Sequence, residues 1–169
     1  MIKNICLSLA ASTALIAGVA QAAGSDYLIR IDGISGTSTE VGFTDYIPVE
    51  SWSLGFTRAT CQALYFSKQM DAASAPITGA TMLGAYYPSI TLVARKTGGD
   101  GNRFTYLKLT LASSIFTSFQ TGGSNGSSIL PMEQISVQPS SVAFQAFAHD
   151  VNGGVVQIAS NTATCQKPK

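Results

Sequence analysis

The sequence predicts a mainly β domain, a closed or nearly closed barrel with one short helix. Apolar and polar residues alternate with period two in stretch after stretch from residue 26 to residue 159. Glycine-rich turn signals such as TGGDGN at 97–102 and Asn152-Gly153-Gly154 separate those stretches. One segment alone, 74–83, carries both a helix start and a helix stop.

The chain opens on an export signal. Lys3 precedes an uncharged run over 5–19, and the small-residue triplet Ala20-Gln21-Ala22 follows, the pattern a signal peptidase cuts. The expected division is 1–22 signal peptide and 23–169 mature domain. The apolar run is shorter than the roughly 20 residues that span a bilayer, and no comparable stretch recurs, so no membrane span is expected. The product is expected in the periplasm or outside the cell.

In the mature chain, 26–32 sets Tyr27, Ile29 and Ile31 against Leu28, Arg30 and Asp32, and Gly33 ends the strand. A second strand is read over 46–57, with Pro48 marking an edge or a strand start because it cannot donate to a ladder. A third, 61–69, ends at Asp71. The helix over 74–83 has Ser74 as its expected N-cap, Pro76 in its first turn and Gly84 at its close. Gly79 and two threonines weaken it, so packing of Ile77, Met82 and Leu83 must hold it. Strands follow at 90–96 and 104–111, joined as a hairpin, then at 113–120. A loop over 121–128 leads to closing strands within 129–148 and 155–159.

Charge excludes whole classes of partner. The sequence has ten Lys and Arg against nine Asp and Glu, and losing Lys3 makes the mature domain neutral. There is no basic cluster to displace counterions from nucleic acid or to grip an anionic membrane. A neutral surface also permits copies of the chain to associate.

Cys6 leaves with the signal, so Cys61 and Cys165 remain in a chain bound for an oxidising space, where a disulfide is the natural expectation. A bridge between subunits and two unpaired thiols are the other possibilities. Closing 104 residues within one chain is worth about 4 to 5 kcal/mol on the chain-entropy model.

No motif points to catalysis or to a cofactor. Neither glycine-rich stretch is followed by Lys-Ser/Thr or by a helix that would receive a phosphate. Asp100 and Asn102 supply too few oxygens for calcium. His149 is the only histidine and has no nucleophile-elbow serine to serve. Asn125-Gly126-Ser127 matches a glycosylation sequon that loop composition explains equally well.

Four segments together, DYLIRIDGISGTS at 26–38, IPVESWSLGF at 47–56, LYFSKQMDAASAP at 64–76 and ITLVARKTGGDGNRFTYLKLTL at 90–111, resemble the haemolysin-coregulated protein (Hcp) family of type VI secretion. FQTGGSNGS at 119–127 and the strand around 135–144 extend the likeness to 26–147. The resemblance implies a β-barrel of two packed antiparallel sheets with one short flanking helix. It further implies a homo-oligomer, six copies closing into a ring, with rings that stack and carry secreted effector proteins, and no active site. It would place Ser74, Pro76, Ile77, Thr78 and Met82 on a lumen-facing helix. Gly36, Thr37, Glu40 and Asp45 would lie in a loop that reaches the next ring. The export signal and the Cys61/Cys165 pair stand apart from that pattern, and both suit an oxidising space. Two other classes compete with this reading: a lectin-like or adhesin-like module using Tyr86 and Tyr87, and a hydrolase using His149 or paired carboxylates.

Overall fold

The computed structural model describes residues 25–58, 60–98, 101–149 and 154–165. The expected signal peptide, Asp100 and most of the turn at 152–154 lie outside the described residues. In chain order the strands are β1 (Asp26–Ile31), β2 (Ile47–Val49), β3 (Ser51–Ser53), β4 (Phe56–Thr57), β5 (Thr60–Cys61) and β6 (Leu64–Gln69). Helix α1 (Ser74–Leu83) follows, then β7 (Tyr86–Thr97), β8 (Arg103–Gly122), β9 (Met132–Gln138), β10 (Ser141–His149) and β11 (Val155–Thr164).

Every pairing is antiparallel. The main sheet runs β2-β1-β7-β8-β9-β6-β3, with β10 added to β8 and β11 added to β10. Its two ends lie on one extended run, because only Glu50 separates β2 from β3, and the Glu50 amide donates to the Ser67 carbonyl at 2.9 Å.

β8 is the second place where the sheet bends. Its first part pairs with β10, from Leu107↔Ala146 to Ala112↔Ser141, and its last part pairs with β9, from Ile115↔Gln138 onward. The change of partner falls at Ser113, whose φ of 47° is positive. Ser140, between β9 and β10, clamps this corner: its amide donates to the Ala112 carbonyl at 3.1 Å and its hydroxyl to the Ser113 carbonyl at 2.9 Å. The two expected packed sheets are therefore halves of one bent sheet.

The core lies between those halves. Ile29, Ile31, Leu92, Leu109 and Leu111 meet Leu64, Phe66, Phe116, Ile135 and Val137 there. Ala73, the residue before α1, and Ile77 and Ala80 within it join the same cluster. Gly84 closes the helix in the left-handed region, φ 62°, and its amide returns to the Ala80 and Thr81 carbonyls.

Several boundaries differ from expectation. The run read as one strand over 46–57 divides at Glu50 and at 54–55, since β2 and β3 turn to different partners. The strands read as 104–111 and 113–120 are one strand of twenty residues, bent at Ser113 rather than broken.

Candidate assembly surface

Helix α1 is fixed by a buried polar cluster that period-two reading passes over. Leu64 and Phe66 set the inward phase of β6, and Lys68 continues it; Ile135 and Val137 do the same for β9, and Glu133 shares their phase. Lys68 and Glu133 are both 0 % exposed. Their charges meet at 2.8 Å, and Lys68 Nζ also reaches Asp71 Oδ1 at 2.5 Å and the Gln69 carbonyl at 3.0 Å. A charged lysine on a strand's core face was the available signal for this cluster.

Ser74 is a member of that cluster and not the expected N-cap. Its hydroxyl accepts from the Asp71 amide at 2.9 Å and from Lys68 Nζ at 3.1 Å, and donates to Glu133 Oε2 at 2.9 Å. The N-cap position falls to Ala73, whose amide donates to Asp71 Oδ1 at 2.9 Å. Burial of the hydroxyl beside a charge pair draws it inward, where it cannot fold back onto the first helical turn.

The five helix residues expected at a lumen therefore separate. Ile77 is fully buried in the core and Ser74 is buried against Glu133, so neither has a surface to offer. Pro76 is exposed, Thr78 is half-buried with its hydroxyl donating to the Ser74 carbonyl at 2.8 Å, and Met82 is 82 % exposed. Leu83 is exposed beside Met82, and Tyr86 follows it on the surface.

The loop over 35–46 folds onto its own subunit. The Gly36 amide donates to the Asp45 carbonyl at 2.8 Å, and the Ser38 amide to Tyr46 at 2.9 Å. A Cβ on Gly36 would collide with the Tyr46 carbonyl, so only glycine fits the base of the loop. Thr37 Oγ1 lies 3.5 Å from Asp71 Oδ2, and Asp45 takes a left-handed φ of 65° on the surface. Glu40, expected to reach outward, pairs instead with Arg95, and with Arg103 at 3.0 Å. The Arg95 hydrogen bond holds the Glu40 carboxyl below its usual range against the opposing effect of burial, and the Arg95 and Arg103 charges add to the lowering. Arg103 also pairs with Asp26, and Arg95 sits 4.3 Å over the Phe43 ring. The side chain left at the tip is Val41, 98 % exposed, followed by Gly42 at φ 80°.

Cys61 and Cys165 form a disulfide within the chain, which sets aside the inter-subunit bridge and the free thiols. It ties the residue after β11 to β5, and the Cys165 amide donates to the Ser140 carbonyl at 2.8 Å, next to the β8 corner.

Among the described residues the tyrosines and the histidine of the competing readings share no site. Tyr86 is exposed, but Tyr87 turns inward and packs edge-on against Phe116 with ring centroids 5.3 Å apart, so the expected exposed tyrosine pair is absent. The His149 ring lies on Phe104, 3.9 Å between centroids. Among the described residues no three His, Cys, Asp or Glu side chains converge on a metal position, and no helix is long and apolar enough to cross a membrane.

Comparison with known proteins agrees with this architecture. A family model described as "Type VI secretion system effector, Hcp" matches residues 28–145. Protein hcp1 of Pseudomonas aeruginosa is 30 % identical over 115 residues, covering 60 % of this chain and 70 % of that protein. The crystal structure of Hcp1 from Salmonella typhimurium superposes with a TM-score of 0.69 at 29 % identity, over 79 % of this chain and 91 % of that one. A structure described as a type six secretion system protein reaches a TM-score of 0.75 at 23 % identity, over 83 % and 96 % of the two chains, a likeness of fold.

Proposed function

This chain belongs to the Hcp family of type VI secretion proteins, and from that premise we propose that it is an exported tube-type subunit whose mature domain, 23–169, closes into a hexameric ring. The family match across 28–145 carries the reading, because it takes in the helix, both corners and every strand from β1 into β10, leaving out β11. The Hcp family is a structural secretion family, and the role assigned here is assembly. A head-to-tail interface that closes on itself covers strand edges and loops that a lone subunit leaves open.

In such a ring the face of α1 that presents Pro76, Thr78 and Met82 turns to the lumen. The loop carrying Thr37 and Asp45, with Val41 at its tip, meets the next ring. Secreted effector proteins are the cargo this arrangement suits. The signal pattern at 1–22 and the Cys61–Cys165 bridge both favour an oxidising destination, in the periplasm or beyond the outer membrane.

Negative-stain microscopy of the oxidised mature chain is the direct test. Annuli of about six subunits are expected. A species that stays monomeric at every concentration overturns the assignment.

A further inference from the structure

We infer that the buried Lys68–Glu133 pair is a self-modification site, at which the two side chains condense into an amide that joins β6 to β9 covalently. The two residues stand directly opposite one another on adjacent antiparallel strands, and both are fully buried. Lys68 Nζ lies 2.8 Å from Glu133 Oε2. An amine and a carboxyl held that close have already made their encounter, which removes a large share of the barrier to joining them.

An ordinary structural ion pair satisfies its carboxylate, and this one does not. Glu133 Oε1 has no hydrogen-bond partner among the described residues. Oε2, by contrast, accepts from the Ser74 hydroxyl at 2.9 Å as well as from Lys68. The two oxygens are divided as a condensation requires: Oε2 is placed to become the amide carbonyl with a donor already on it, and Oε1 to leave. A third group completes the site. Asp71 Oδ1 lies 2.5 Å from Nζ and accepts the Ala73 amide at 2.9 Å, so a second carboxylate, oriented by the backbone, stands as base on the nucleophile. Asp71 is only partly buried, which gives the released water a way out.

In the step, Nζ gives up a proton to Asp71 and adds to Glu133 Cδ; the Nζ–Cδ bond forms and the Cδ–Oε1 bond breaks. Two of the three ammonium protons leave with Oε1 as water. The third stays on the amide nitrogen, facing Asp71, which ends as it began. Ammonium and carboxylate give amide and water, so the step balances without an oxidant or a co-reactant. Two buried charges and one orphaned oxygen disappear together, and with them the desolvation cost that a buried pair carries. The product is a tie across β6 and β9 that thiol leaves intact, unlike the Cys61–Cys165 bridge.

Intact-mass spectrometry of the oxidised mature chain, with its fold checked by a thermal melt, reads the condensation as the loss of one water beyond the hydrogens lost to the disulfide. The wild type is expected to show that loss. Tryptic mapping under reducing conditions is expected to find no cleavage after Lys68 and the peptides carrying Lys68 and Glu133 still joined. A chain carrying Lys68→Met and Glu133→Leu lacks both reacting groups and is expected at its full mass. Asp71→Asn is expected to cross-link at least about ten-fold more slowly. A folded wild type that keeps its full mass through extended incubation overturns the proposal. So does a water loss that maps to Asp71 or to an Asp-Gly step such as Asp32-Gly33. An Asp71→Asn chain that cross-links at the wild-type rate overturns the site as drawn.

Discussion

Glu133 shows how much one side chain commits this fold to. Its Oε2 is shared between Lys68 and Ser74, while Oε1 has no hydrogen-bond partner among the described residues. The carboxylate is therefore held by one charge and one hydroxyl, fully buried. Removing one member of such a buried pair strands the other, which costs about 3 to 5 kcal/mol, more than most point changes do. Glu133→Ala is expected to lose that much in urea unfolding. Replacing Lys68 and Glu133 together by Met and Leu is expected to recover most of it. Glu40 is the exposed counterpart. Its folded pKa is lowered, chiefly by the Arg95 hydrogen bond, so its stabilising contribution is complete above the unfolded carboxyl pKa and is lost as pH falls through the lowered folded value. Arg95, Arg103 and the Asp26 carboxylate on Arg103 are the charges that face it. Thermal melts of wild type and Glu40→Gln are expected to differ at neutral pH and to converge as acid protonates Glu40 in the folded state, with the loop over 35–46 loosening first.

At the scale of elements, the sequence made the strands legible and left their corners hidden. The alternation of Tyr27, Ile29 and Ile31 reads directly as β1, and Gly84 marks the end of the helix, whereas Ser74 stands at its start for another reason than capping, its hydroxyl turned to Glu133. The corner at Ser113 leaves no such trace, because a serine with φ of 47° is held by the Ser140 clamp, a contact 27 residues away. Lys68 and Glu133 escape for a related reason: alternation counts them as interruptions of an apolar face, whereas they satisfy one another across β6 and β9. Glu40 has no local signal either, since Arg95 and Arg103 reach it from β7 and β8. Gly36 is legible as a turn residue, but its reason is tertiary. Gly36→Ala is expected to lower the thermal midpoint, at a cost of about 1 to 3 kcal/mol for forcing a methyl into the Tyr46 backbone. The disulfide acts at this scale too. Reducing it frees a loop of 104 residues and is expected to lower the unfolding free energy by up to about 4.7 kcal/mol, measured by urea titration with and without thiol.

For the whole molecule, charge separates two ways in which copies can meet. With the proposed cleavage after Ala22, residues 23–169 carry nine cations and nine anions, and several of these are already used within the subunit: Lys68 with Glu133 and Asp71, Arg95 and Arg103 with Glu40 and Asp26. Six cations and five anions stand outside those pairs, too evenly balanced in sign to draw two identical copies together by net charge. An interface built on backbone pairing and apolar side chains gains nothing from low salt. Surface ion pairs, by contrast, weaken as the screening length falls from about 10 Å at 0.1 M to about 3 Å at 1 M. Assembly of the mature chain is therefore expected to hold or strengthen between those salt concentrations, as read by sedimentation velocity at fixed protein concentration. Dissociation on raising salt would place the contact between copies on charged side chains instead.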